Sequence, residues 1–104
     1  MSNRRNLFII AGLALAGLAV VVLFFDLPEG SEIFKREGCI SCHSFKGSGG
    51  SAGPELTSVT SRRTDPWIRR QITDPKSHNP SSAMPSFRHL SRKEVTALIR
   101  YLKS

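Results

Sequence analysis

Thiols are scarce in this chain. Its 104 residues include two cysteines, Cys39 and Cys42, with His43 directly after the second. A disulfide between them would close a very small loop, which constrains the unfolded chain least and makes a poor staple. A structural zinc needs four ligands, and the Cys-Cys-His trio has no obvious fourth. Strand-forming runs and internal repeats are also missing, which excludes the βαβ setting of a thioredoxin-like redox pair. Carboxylates are few, 8 against 15 lysines and arginines, so the formal charge is +7.

One stretch lacks polarity altogether. Leu7 to Phe25 is 19 residues without a charged or polar side chain. As a helix it would run about 28 Å, close to the roughly 30 Å hydrocarbon core of a bilayer. Arg4 and Arg5 precede it and Asp26 is the first charge beyond it. The positive-inside rule therefore places the N-terminus in the cytoplasm and the rest outside, at the periplasmic or extracytoplasmic face. A cleaved signal peptide is the rival reading, with Ala14-Leu15-Ala16 as the site. Cutting there would leave a short h-region and strand the remaining apolar run on the mature chain, so an uncleaved single-pass anchor is expected. The expected division is residues 1–25 for the cytoplasmic N-terminus and anchor, 26–30 for a short linker, and 31–104 for one small domain.

The 79 residues from Asp26 onward carry 13 cations against 8 carboxylates, a formal +5. Outside the cytoplasm that charge does not imply nucleic acid. It implies an acidic protein partner, or an anionic membrane surface. A domain this small buries a marginal core and usually needs a staple or a cofactor. C-x-x-C-H at 39–43 is the c-type attachment signature. The two thiols add to the haem vinyl groups, and the adjacent imidazole reaches the iron from one face. A covalent haem also supplies the apolar nucleus that the domain lacks. The second axial ligand is expected to be Met84, in the polar loop SSAMPSF; it is the only methionine besides Met1. His78 and His89 are the alternatives, and an open distal site is the third.

The pattern predicts three to four helices and no convincing strand, an all-α domain. Ser31 is a candidate cap for a first helix, with Glu32 in its first turn and Gly38 at its end. Lys46 to Gly53 reads as a loop of small residues packed against haem. Asp65-Pro66-Trp67 opens a second helix with Trp67, Ile68, Gln71 and Ile72 on one side, and Asp74-Pro75 closes it. Ser91 to Glu94 forms a capping box before Val95, Leu98, Ile99 and Leu102 at i, i+3, i+4 and i+7.

CISCH (39–43), GPEL (53–56), MPSF (84–87) and VTALIRYL (95–102), in that order, make the chain resemble the class I monohaem cytochromes c of the short bacterial type. The resemblance covers nearly all of residues 30–102. It implies that Cys39 and Cys42 are the thioether anchors, His43 the proximal ligand and Met84 the distal one. It implies that the Pro54 carbonyl accepts a hydrogen bond from His43, and that Phe34 crosses Tyr101 beside a close approach at Gly30. Arg62, Arg63 or Trp67 would face the haem propionates; a solvated basic loop is the plain alternative for the arginines, and a pocket wall for Trp67. The expected function is one-electron transfer, without substrate chemistry. The short linker resembles that of anchored cytochrome c subunits of respiratory membrane complexes more than a shuttle. The rivals are a free-standing anchored shuttle and a haem enzyme or gas sensor with an open iron.

Overall fold

The computed structural model describes residues 28–104. The expected anchor, Leu7–Phe25, lies outside the described residues; among those described, no helix is long and apolar enough to cross a membrane.

Helix α1 spans Gly30–Arg36, with Glu32 in its first turn and Lys35 and Arg36 in its last, charges that suit the helix dipole at both ends. It starts two residues earlier than a cap at Ser31 would dictate. Glu29 is the extended residue at its N-terminus, and no side chain caps it. Packing sets this start: a Cβ at Gly30 would meet the carbonyl oxygen of Ala97 and come within 2.6 Å of Tyr101 Cβ. Gly38, at φ 78°, then turns the chain into α2, the four residues Cys39–Cys42.

Two short strands follow, β1 (Ser44–Phe45) and β2 (Ser48–Gly49), antiparallel with Phe45 opposite Ser48. The two linking residues, Lys46 and Gly47, both have positive φ, 50° and 83°. That is the signature of a primed hairpin turn, whose twist matches the flanking strands. The expectation of a strand-free domain is corrected here. Two-residue strands are too short to show alternation, so the signal lay in the turn.

Helix α3 covers Val59–Arg62 and α4 covers Asp65–Thr73. Thr64 caps α4, its Oγ1 accepting from the Trp67 N–H at 3.3 Å, and Pro66 occupies the first turn. A 3₁₀ turn, Pro75–Ser77, follows the break at Asp74. The last helix, α5, spans Arg92–Leu102 and carries the complete capping box between Ser91 and Glu94. Five helices among the described residues, two of them single turns, replace the expected three to four.

The core is the apolar face of α5 (Val95, Ala97, Leu98, Ile99, Leu102) against Ile33 and Phe34 of α1 and Ile68 and Ile72 of α4. Phe45, Phe87 and Leu90 complete it. Phe34, Phe45 and Tyr101 form a triangle with centroids 4.9–6.2 Å apart and tilted planes, the arrangement aromatic quadrupoles favour. Arg36 of α1 donates to Glu94 of α5 at 2.7 Å, and Arg69 of α4 donates to Thr96 at 2.7 Å. The three longest helices thus form one rigid frame, and the segments between them carry the chemistry.

Candidate functional site

Cys39 and Cys42 sit at the two ends of α2, so three positions of helix put their thiols about one turn apart. Cys39 is half-buried and Cys42 exposed, and the two are not bridged. Burial pushes the Cys39 thiol up from its ordinary range; its own backbone N–H acts against this, and nearby Glu37 adds to it. His43 leaves the helix in extended conformation (φ −114°), its N–H donating to the Cys39 carbonyl at 3.0 Å. Among the described residues no three His, Cys, Asp or Glu side chains gather as a metal cage.

The segment after the hairpin is laced onto this turn by backbone bonds. Gly50 N–H donates to the Ile40 carbonyl at 2.8 Å, Gly53 N–H to Cys42 at 2.6 Å, and Leu56 N–H to Ser44 at 2.9 Å. The lacing brings Gly53 and Pro54 against the imidazole. His43 Nδ1 lies 2.7 Å from the Pro54 carbonyl oxygen. A carbonyl only accepts, so the proton is on Nδ1 and Nε2 keeps an open lone pair. Gly53 is needed for contact: a Cβ there would come within 2.6 Å of His43 Cε1 and 2.9 Å of Nδ1.

Met84 lies in the loop between the 3₁₀ turn and α5, half-buried and packed against the core. Two bonds pin that loop to the end of α4: Phe87 N–H to the Ile72 carbonyl at 2.9 Å and Ser86 Oγ–H to the Thr73 carbonyl at 2.6 Å. Met84 Sδ accepts from Gln71 Nε2 at 3.4 Å. A surface cleft of about 560 Å³ runs behind the loop, lined by Asp74, Pro75, Lys76 and residues 82–86; Met84 is its one link to the site.

The remaining expected residues are placed as follows. Arg62 donates to the Glu55 carbonyl at 3.3 Å, across the loop that follows Pro54. The guanidinium carbon of Arg63 lies 4.2 Å from the Trp67 ring centroid, a cation–π distance. Trp67 is half-buried at the core edge and stacks face to face on His78, with centroids 4.3 Å apart and planes at 3°. His78 Nδ1 lies 2.8 Å from Gln71 Oε1. His89 points elsewhere, its Nε2 3.0 Å from Glu37 Oε2. In the sequence Gln71 shows only as a face residue of α4. Its spacing, one turn after Trp67, was the available signal for a second role.

The donor set fits a covalent haem. Two thiols stand one turn apart, the adjacent imidazole presents a bare Nε2, and a thioether is held in a loop pinned to another helix. The glycine beside His43 leaves the ring room that any side chain would fill.

Comparisons agree with this chemistry. A family model described as cytochrome c matches residues 27–104. The chain is 32% identical over 84 residues to a cytochrome c oxidase subunit 2 of Alkalihalophilus pseudofirmus, covering 73% of this chain and 25% of that protein. It is 32% identical over 84 residues to the C subunit of a nitric oxide reductase of Stutzerimonas stutzeri, covering 72% and 55%. A 28-residue stretch is 57% identical to a menaquinol:cytochrome c reductase cytochrome c subunit of Bacillus subtilis, covering 27% and 11%. The chain spans about half of these relatives' length at most. Motif, fold and family match converge: the chain belongs to the cytochrome c family, as a monohaem class I member with a covalently bound c-type haem.

Proposed function

We propose that this protein is a one-electron carrier anchored at the outer face of the cytoplasmic membrane, as a haem subunit or close partner of a respiratory membrane complex. When bound, the haem supplies a one-electron ferric/ferrous couple. The residues do the rest. Cys39 and Cys42 would hold the group covalently, and His43 Nε2 and Met84 Sδ would donate to its iron. The Pro54 carbonyl fixes the His43 tautomer and ring plane, as second-layer partners of metal-bound histidines do. A thioether as the second donor would favour a higher potential than a second imidazole. Trp67, Arg62 and Arg63 lie on the loop and helix walls, where they would meet the propionate edge.

The observation that carries this reading is that both donor side chains are held by a second bond, His43 to Pro54 and Met84 to Gln71. Donors fixed before and after electron transfer need little rearrangement, which suits an electron carrier. Met84 offers a thioether where a peroxidase-like site would use a polar histidine or arginine.

Tethering rests on the apolar run and on distance. Four residues separate Phe25 from the start of α1, and extended they reach at most about 14 Å. A shuttle on a leash gains from a long linker, since effective concentration collapses when the span is out of reach. The likeness to components of a nitric oxide reductase and of a menaquinol:cytochrome c reductase supports the subunit reading over the shuttle. The net +5 of the outer part supports docking on an acidic surface.

The test uses full-length protein matured with a cytochrome c assembly system. A c-type α-band is expected, with a weak red charge-transfer band in the ferric state that disappears in Met84→Ala. Rapid carbon monoxide binding to untreated reduced protein would count against a closed, six-coordinate iron. Release by alkaline carbonate would remove the anchor, and copurification in mild detergent would name the complex.

A further inference from the structure

Gln71 bridges Met84 and His78, and its carboxamide has one donor end and one acceptor end. The Met84 sulfur carries no proton, so only the NH₂ end can face it productively. The NH₂ end does so, at 3.4 Å, and the Oε1 end lies 2.8 Å from His78 Nδ1. An oxygen acceptor there requires the His78 proton to be on Nδ1. Were Nδ1 bare, the amide would turn over to satisfy the ring and point Oε1, with its lone pairs, at sulfur.

The imidazole is itself held. It stacks in parallel on Trp67, and the Arg63 guanidinium sits 4.2 Å from the same indole. The turn that carries it is fixed too: His78 N–H donates to the Pro75 carbonyl at 3.2 Å, and Arg70 Nε donates to Ser77 Oγ at 2.9 Å. These contacts make a continuous chain from exposed His78 to the half-buried sulfur of the loop.

We propose that His78 is a positioning residue for electron transfer: by donating from Nδ1 to Gln71 Oε1, it keeps the Gln71 amide turned so that its N–H₂ donates to the Met84 sulfur. This rests on the reading of Met84 as an axial ligand. A hydrogen bond to sulfur draws electron density from it and disfavours the ferric state, so His78 raises the potential without touching the iron. It is neither an alternative ligand nor a solvated bystander.

The test is a double-mutant cycle on matured, full-length protein, reading the electron-transfer equilibrium with one fixed soluble redox partner and the ferric red band. Gln71→Leu is expected to shift that equilibrium about three- to tenfold toward oxidised protein, the effect of losing one ordinary hydrogen bond. His78→Phe keeps a stacking ring and loses the donor; it is expected to give a smaller shift of the same sign. In Gln71→Leu, adding His78→Phe is expected to change nothing further, because the intermediary is gone. The red band stays in all four proteins, displaced in the variants. Additive shifts, or a wild-type value for His78→Phe, would overturn the proposal and leave the Met84 ligation intact. A wild-type protein without the red band would overturn both. Should His78→Phe fail to mature, His78→Ala carries the same cycle.

Discussion

The crossing of α1 over α5 and the loop that carries Met84 are built by opposite means. At the crossing, Ile33 and Val95 are each 1% exposed, Phe34 is 3% exposed, and a glycine lets two backbones touch. Its cohesion is apolar burial, spread over many contacts. The Met84 loop buries only its end, at Phe87 and Leu90, and its middle is polar. Two bonds to the end of α4 and one to the methionine sulfur hold the part around Met84, and His89 meets Glu37 near its end. The frame is therefore cooperative and the loop separable. Local opening free energies follow buried apolar contact, so the loop is expected to open below the global unfolding energy, taking Met84 with it.

The sharpest way to break that contrast is to damage the frame. Phe34→Ala removes a ring from the aromatic triangle and is expected to lower the unfolding free energy by about 3–5 kcal/mol, read by denaturant titration of helical circular dichroism. Gly30→Ala drives a methyl into the Ala97 carbonyl and the Tyr101 Cβ. It is expected to cost about 1–3 kcal/mol, with the helices sliding apart rather than the side chains yielding. In both, loss of the red band and loss of helix should remain in step.

Ser86→Ala cuts a loop anchor instead, and a single net hydrogen bond is worth about 0.5–1.5 kcal/mol. Here the two signals should part, the red band fading at lower denaturant than the helical signal. Coincident midpoints would show the loop and frame to be one unit.

The smallest effect concerns acid. The Ser91 backbone N–H, and after it the Arg36 guanidinium, hold the Glu94 carboxyl below the usual range. Its folded pKa is below the unfolded value of about 4.3, so the unfolded state binds the proton more readily. Its contribution is present above about pH 4.3 and fades as pH falls through the folded value. Glu94→Gln is expected to lower the melting temperature at pH 7 and to flatten its fall below about pH 4.3, the two curves converging in strong acid.

These two regions also differed in how plainly the sequence declared them. The crossing was legible: Val95, Leu98, Ile99 and Leu102 recur at helical spacing, and Ser91 with Glu94 marks the start. The attachment turn was legible because five adjacent residues carry its chemistry. The hairpin was not, since Lys46 adopts a positive φ that composition alone does not announce. Neither was the start of α1, where contact at Gly30 outweighs the capping preference of Ser31. The bridge from His78 to Met84 was hidden for another reason. It joins residues 71, 78 and 84 across a helix end and two turns, a meeting that only tertiary packing creates.

The touch between residue 30 and residues 97 and 101 has an architectural corollary. The ways into and out of the haem-bearing unit adjoin, so the whole unit can be spliced into a longer polypeptide without straining either junction.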